Sequence, residues 1–253
     1  MKVILLAGGL GTRLSEETKI MPKPLVKIGR YPILIHIMNI YSFYGFKDFI
    51  ICGGYKFNHI KSFFKNYSDL KLVKKENHQD IFFSKKKDWK INLVFTGHNT
   101  NTGGRLLKIK KLIKKENMFL LTYGDGLADV NIKNLLKYHK KNKKLATVTA
   151  VKPPGRFGVL NIKNGKVKNF QEKVDNKDSW INGGFFVFNK EIFKYLKKSS
   201  DSLEQNMLNK IAKKNQLSAY QHNKFWLPMD TLRDKTKLND LFRKGKAPWI
   251  LNK

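Results

Sequence analysis

The run Lys2 to Ala7 (KVILLA) is almost wholly apolar and passes directly into Gly8-Gly9-Leu10-Gly11-Thr12-Arg13. A strand without polar alternation needs cover on both faces, which parallel sheets sandwiched by helices provide. The glycine-rich loop then lies at the carboxyl end of a parallel strand, the usual ligand position of an open α/β sheet.

The next residues keep the same grammar. Ile33, Ile37, Ile40, Tyr41 and Tyr44 recur at helical spacing, Asp48 to Cys52 reads as a second strand, and Ile60 to Phe64 sits in a second helix. Ile91 to Phe95 is a third strand, followed by a helix with Leu106, Ile109 and Ile113 on one face. Met118 to Thr122 is a fourth strand, and Ile132, Leu135, Leu136 and His139 mark the helix after it. Short apolar runs alternating with 3.6-residue periodicity predict an α/β fold. After about residue 145 the pattern shifts. Gly158-Val-Leu-Asn-Ile, Asn164-Gly165 and Lys166-Val-Lys-Asn-Phe predict a hairpin with a favoured Asn-Gly turn, which makes the sheet mixed. Trp180 to Phe188 reads as a strand, Leu203 to Lys214 as a helix, and the last thirty residues as a site motif before a polar tail. Neither a repeat nor a linker divides the 253 residues, so one domain is expected.

The formal charge of +32 first suggests a nucleic-acid partner. Only six of the 51 basic residues are arginine, however, and the lysines are spread over nearly every element. Bidentate reading of bases and phosphates favours arginine, so the excess reads as charge on solvated faces, with no nucleic-acid partner expected. Runs such as Lys85 to Lys87 and Lys140 to Lys144 fit exposed loops and helix ends. Cys52 is the only cysteine, which rules out an intramolecular disulfide and agrees with a reducing cytoplasm. The apolar start runs into a glycine loop and then Arg13, Glu16 and Glu17, which suits a buried strand better than a secretory leader. No apolar run nears the ~18 residues needed to cross a bilayer.

Glycines at Gly8, Gly9 and Gly11 let backbone amides approach phosphate, and Arg13 adds a fixed cation; a glycine-rich turn without a ligand is the alternative. A dinucleotide fingerprint is excluded, because Leu14 stands at the third-glycine position and no carboxylate follows Cys52-Gly53-Gly54-Tyr55-Lys56. Pro22-Lys23-Pro24 supports the phosphate reading. Prolines on both sides of Lys23 stiffen the backbone and disfavour helix at the residues before them, so the ammonium comes from a preset position. Asp125, flanked by Gly124 and Gly126 after a strand, can reach a metal or can be a plain turn aspartate.

LAGGLGTRL followed by PKPLVKIG resembles the signature of the sugar-1-phosphate nucleotidyltransferases. NTGGRL, FLLTYGDGLAD, PPGRFGVL, FQEK, INGGFFVFN, FWLPMDTLRDK and GKAPW extend the likeness along essentially the whole chain, and as a set they resemble the glucose-1-phosphate cytidylyltransferase branch. The resemblance implies a Rossmann-like mixed sheet flanked by helices, the nucleotide-diphospho-sugar transferase fold, with a nucleotide-binding part over about 1–145. A smaller β-rich sugar-phosphate part would cover about 146–253. It implies CTP and glucose 1-phosphate as substrates and Mg²⁺ as cofactor, held by Asp125 and Asp230. In-line attack on the α-phosphorus would be assisted by Lys23 and Arg13, with Gly8, Gly9, Leu10, Gly11 and Thr12 around the triphosphate. Leu6, Ala7, Thr100, Thr102, Gly103, Gly104 and Arg105 would line the base pocket, the two glycines allowing close approach and Arg105 donating to the nucleotide. Tyr123, Gly158, Glu172, Lys173, Asn182 and Gly183 would take the sugar phosphate. The family usually has methionine where this chain has Asn101. Leu14-Ser15-Glu16-Glu17-Thr18 departs from the proline-bearing segment of thymidylyl- and uridylyltransferases and favours the cytidylyl branch. A cytoplasmic homo-oligomer, often a hexamer, serving envelope polysaccharide synthesis is implied by the same likeness. The rivals are the same reaction with UTP or dTTP, a basic nucleic-acid-binding protein, and a regulatory relative without turnover.

Overall fold

The computed structural model describes residues 1–76, 78–153, 159–163, 166–171 and 179–251. Its strands in chain order are β1 (Lys2–Ala7), β2 (Lys27–Ile28), β3 (Tyr31–Pro32), β4 (Asp48–Gly53), β5 (Lys71–Glu76), β6 (Gln79–Ser84), β7 (Trp89–Phe95) and β8 (Met118–Tyr123). They continue as β9 (Gly126–Ala128), β10 (Ala146–Val151), β11 (Val159–Lys163), β12 (Lys166–Gln171), β13 (Ile181–Asn189), β14 (Leu217–His222) and β15 (Trp226–Pro228). Nine of these make one sheet in the order β14-β10-β13-β8-β1-β4-β7-β6-β5. Strands β8, β1, β4 and β7 are mutually parallel, and β14 is parallel to β10. Between β8 and β10, β13 runs antiparallel, and β6 and β5 return antiparallel at the far edge.

Both faces of the centre are covered, as the unbroken apolar runs require. In β1, Val3, Leu5 and Ala7 join one buried cluster with helix Ile33–Phe43, while Ile4 and Leu6 join a second with Leu106, Ile109 and Ile113. Each valine, leucine or isoleucine among them contributes roughly 1.5–3 kcal/mol by leaving water. Cys52 lies in the second cluster, fully buried as expected.

Every strand and helix expected before residue 145 is present, with one break. The helix carrying Leu106 to Ile113 is interrupted at Ile109 into Thr102–Lys108 and Lys110–Ile113. The expected hairpin is β11 with β12, paired with each other in a two-stranded sheet of their own. The second half of the chain otherwise feeds β10, β13 and β14 into the main sheet. The helix expected from Leu203 begins as a π-helical turn, Leu203–Leu208, and continues as α-helix Asn209–Lys213.

The polar tail is corrected by the structure, which shows a helix, Leu232–Arg243, closed at its start by a reciprocal Thr231/Asp234 capping box. Its apolar signal is thin because only Leu238 is buried outright. The ring of Phe242 presses on Gly29, where a Cβ would sit 2.1 Å from Cε1 and where φ is +60°. Farther on, Trp249 is buried and its Nε1 donates to His36 Nδ1 at 3.2 Å, so the proton of this histidine sits on Nε2, 2.9 Å from the Ile28 carbonyl. Edge strand β5 (KLVKKE) also lacked an apolar face to read: all six residues are exposed, and lysines blunt such an edge against further pairing.

Candidate active site

Parallel β1, β4, β7 and β8 all end at one margin of the sheet, so the loops after Ala7, Gly53, Phe95 and Tyr123 meet there. Antiparallel β13 begins at that margin, which brings Asn182 and Gly183 beside Tyr123. The loop after β1 turns at Gly11, whose φ of +68° is left-handed, and Thr18 Oγ1 donates to the carbonyls of Gly11 and Leu14 at 3.1 Å each.

Arg105 holds this loop from behind. Only 4% exposed, its Nη1 donates to Gly53 O at 3.1 Å, Thr96 Oγ1 at 2.8 Å and Gly97 O at 2.9 Å, and Nη2 donates to Gly8 O at 2.9 Å. A Cβ on Gly8 would lie 2.2 Å from the guanidinium carbon, so this glycine makes room for arginine. Arg105 thus spends these donors on the protein, a clamping role beyond the nucleotide contact expected of it. Gly103 and Gly104 also differ from expectation. Their missing side chains make room for the segment Ser199 to Asp201, with a Cβ on Gly104 falling 2.1 Å from Ser199 O.

Three groups far apart in the chain converge below the loop. Lys23 sits in a 3-10 turn, Lys23–Leu25, entered from Pro22 in extended conformation. Its Nζ donates to Asp125 Oδ2 at 2.7 Å and to Asp230 Oδ1 at 2.8 Å. The other oxygen of Asp230, Oδ2, accepts from Arg13 Nη1 at 2.8 Å. Pairing of β9 with β15 sets Gly126 opposite Pro228, and Met229 N donates to Asp125 O at 2.8 Å, which brings the two aspartates together. Asp230 is fixed further where its N–H donates to Asp234 Oδ2 at 3.1 Å at the start of helix Leu232–Arg243. Burial by itself would push the Lys23 ammonium down, but the Asp125 charge and the hydrogen bonds to both carboxylates outweigh it and hold it above the usual lysine range.

Two clefts meet at this cluster. One, of about 340 Å³, is lined by Ala7, Gly9, Thr12, Lys23, Thr100 and Thr102, together with Leu6, Gly8, Gly11, Asn101 and Arg105. The other, of about 290 Å³, is walled by Asn182, Gly183, Gly184, Trp226 and Pro228. Arg13, Tyr123 and Asp125 line both. Leu10 is exposed at the tip of the loop. Gly158, Glu172 and Lys173 lie outside the described residues. Asn101 is tied to the protein, its Nδ2 donating to Ser200 O at 2.8 Å.

Sequence reasoning missed Trp226, whose Nε1 donates to Gly183 O at 2.8 Å, and Glu204, which accepts from Tyr123. Trp226 lies within the quoted segment FWLPMDTLRDK without being singled out, and nothing local marks Glu204. Asp234 could have been found, since Thr231-Leu-Arg-Asp234 has the spacing of a capping box.

The two carboxylates can hold a hard divalent cation. They present oxygens from different elements to one ammonium, and no group of three or more His, Cys, Asp or Glu capable of holding a metal occurs among the described residues. Such a cation would complete its shell with water and substrate oxygens, the habit of magnesium.

A model of the nucleotidyl transferase family matches residues 2–240. The chain is 49% identical over 253 residues to the glucose-1-phosphate cytidylyltransferase of Salmonella typhimurium, covering 98% of both chains. It matches the enzyme of the same description from Salmonella typhi at the same identity and coverage. A solved structure of UDP-glucose pyrophosphorylase complexed with UDP-glucose shares the fold at a TM-score of 0.69 and 17% identity, over 96% of this chain and 98% of that one.

Proposed function

The chain belongs to the nucleotidyl transferase family, and from that premise we propose that it is a glucose-1-phosphate cytidylyltransferase, forming CDP-glucose and pyrophosphate from CTP and glucose 1-phosphate. The observation that carries the reading is the placing of Lys23, Asp125 and Asp230 where two clefts meet, in a chain 49% identical to relatives of that description.

An oxygen of the sugar phosphate attacks the α-phosphorus of CTP while the bond to the β-phosphate breaks, and pyrophosphate leaves with the bonding electrons. The nucleophile is already an anion, so the protein's task is to position the reactants and stabilise charge. The larger cleft takes CTP, with the open side of Gly9 and the amides of the loop facing the triphosphate. Tyr123, Asn182 and Gly183 take the sugar, with Gly158, Glu172 and Lys173 proposed to complete that side. Lys23 and Arg13 offset the negative charge that builds up around the α-phosphorus. Asp125 and Asp230 would hold Mg²⁺, whose charge would offset that of the triphosphate and polarise its phosphate oxygens. We place the protein in the cytoplasm, assembled as a homo-oligomer such as a hexamer. No helix among the described residues is long and apolar enough to cross a membrane.

Incubating the protein with glucose 1-phosphate, Mg²⁺ and each of CTP, UTP, dTTP and GTP, then weighing the products by mass spectrometry, tests the reading. CDP-glucose as the main product is expected. A product made chiefly from UTP or dTTP would replace the nucleotide assignment, and no pyrophosphate release with any triphosphate would end the enzymatic one.

A further inference from the structure

Glu204 stands where the walls of the two clefts touch, in the π-helical turn Leu203–Leu208, and no step above uses it. Oε1 accepts from the Tyr123 hydroxyl. Oε2 accepts from Thr102 Oγ1 at 2.9 Å and from Ser202 Oγ at 2.7 Å. Thr102 in turn accepts from Leu203 N at 2.8 Å, so the start of helix Thr102–Lys108, on the nucleotide side, is bound twice to this turn. Tyr123 is held on the sugar side: Asn182 Nδ2 donates to its oxygen at 3.2 Å, and Gly184, at φ +80°, leaves room for the ring, since a Cβ there would fall 2.7 Å from Cδ2. Burial pushes the Glu204 carboxyl up, but hydrogen bonds from Tyr123, Ser202, its own backbone N–H and Thr102 together outweigh it and keep it below the usual carboxylate range.

A phenol has one proton to give and lone pairs to receive. With its proton committed to Glu204, Tyr123 can meet a ligand in the cleft only as an acceptor. We propose that Glu204 is a positioning residue: it fixes Tyr123 as an acceptor for a sugar hydroxyl and ties that setting to the nucleotide wall through Thr102. The proposal rests on the reading of the smaller cleft as the sugar site. It implies that the substrate hydroxyl reaching Tyr123 must donate, so a deoxy sugar phosphate lacking it binds more weakly.

Steady-state kinetics of Glu204→Gln, Tyr123→Phe and the double variant test this, varying glucose 1-phosphate at saturating CTP. A glutamine offers the phenol either an amide donor or a weaker acceptor. The KM for glucose 1-phosphate is expected to rise about tenfold in Glu204→Gln, the upper size of one lost hydrogen bond between neutral groups. Tyr123→Phe should do the same, kcat should fall far less than KM rises, and the double variant should be no worse than the poorer single, as residues in one network behave. A KM within twofold of the unsubstituted protein in either single variant overturns the proposal, as does a double variant whose effects multiply. If Glu204→Gln melts early, an unchanged KM in Tyr123→Phe still overturns the proposal. Titration of glucose 1-phosphate against the fluorescence of Trp226, which lines the same cleft, reads the weakening without turnover. Weakened binding in the variants of a protein that makes no nucleotide sugar would therefore sink the catalytic reading and leave this one standing.

Discussion

Lys23 keeps a charge in a place only 7% exposed because Asp125 and Asp230 face it. Removing one partner of such a group strands the others, and here it also removes a cation from the proposed reaction centre. Lys23→Ala should lose on the order of a hundredfold or more in turnover, read as the rate of nucleotide-sugar formation at saturating substrates. Two neighbouring glycines separate packing from ligand contact. Gly8→Ala drives a methyl into the Arg105 guanidinium and should cost about 1–3 kcal/mol, seen as a lower urea midpoint. Gly9→Ala meets nothing within 4 Å and should leave that midpoint where it is. At this scale the sequence was readable wherever residue type and local stiffness carry the message, as in the loop glycines, Arg13 and the proline-flanked Lys23. It did not show that Arg105 would clamp Gly8, because the contact spans 97 residues.

Elements set the distances. Asp230 precedes helix Leu232–Arg243, and its N–H shares Asp234 Oδ2 with Thr231 N and Oγ1, so the cap that starts the helix also fixes a proposed metal ligand. Asp234→Ala should cost about 1 kcal/mol of stability and should lower turnover more than that loss explains, because Asp230 loses its brace. Thermal melts and kcat on the same preparation separate the two effects. The strands of the sheet's centre were legible because burial on both faces leaves continuous apolar runs, as in β1, β4 and β8. Lysine-rich β5, the short β9–β15 pair and the helix after Thr231 were not, because each buries too little apolar surface to leave a periodic trace.

Across the whole molecule, burial sets how stability answers pH. Cys52 is fully covered by the second apolar cluster, and burial pushes its thiol from 9.0 up to about 12, against a smaller opposing pull from Arg105. A group whose folded pKa is raised holds its proton longer folded than unfolded, so its contribution is complete below pH 9.0 and is lost as pH climbs toward about 12. Urea midpoints should therefore fall between pH 9 and 11, and a thiol reagent should label Cys52 in the folded protein far more slowly than in urea. Stability that did not change over that interval would contradict the assigned burial. Composition and apolar periodicity were enough by themselves to settle an α/β sheet and a glycine loop at the end of its first strand, and flanking prolines singled out Lys23, because these depend on neighbours a few positions apart; Asp125 stayed open between a metal ligand and a turn aspartate, and Asp230 came from the family resemblance alone. Only the tertiary structure decided that Asp125 and Asp230 share one ammonium, that Gly103 and Gly104 serve packing, and that Glu204 joins two cleft walls. Those contacts close loops of 81 to 207 residues, and such closure is determined by how the layers pack, which no local pattern encodes.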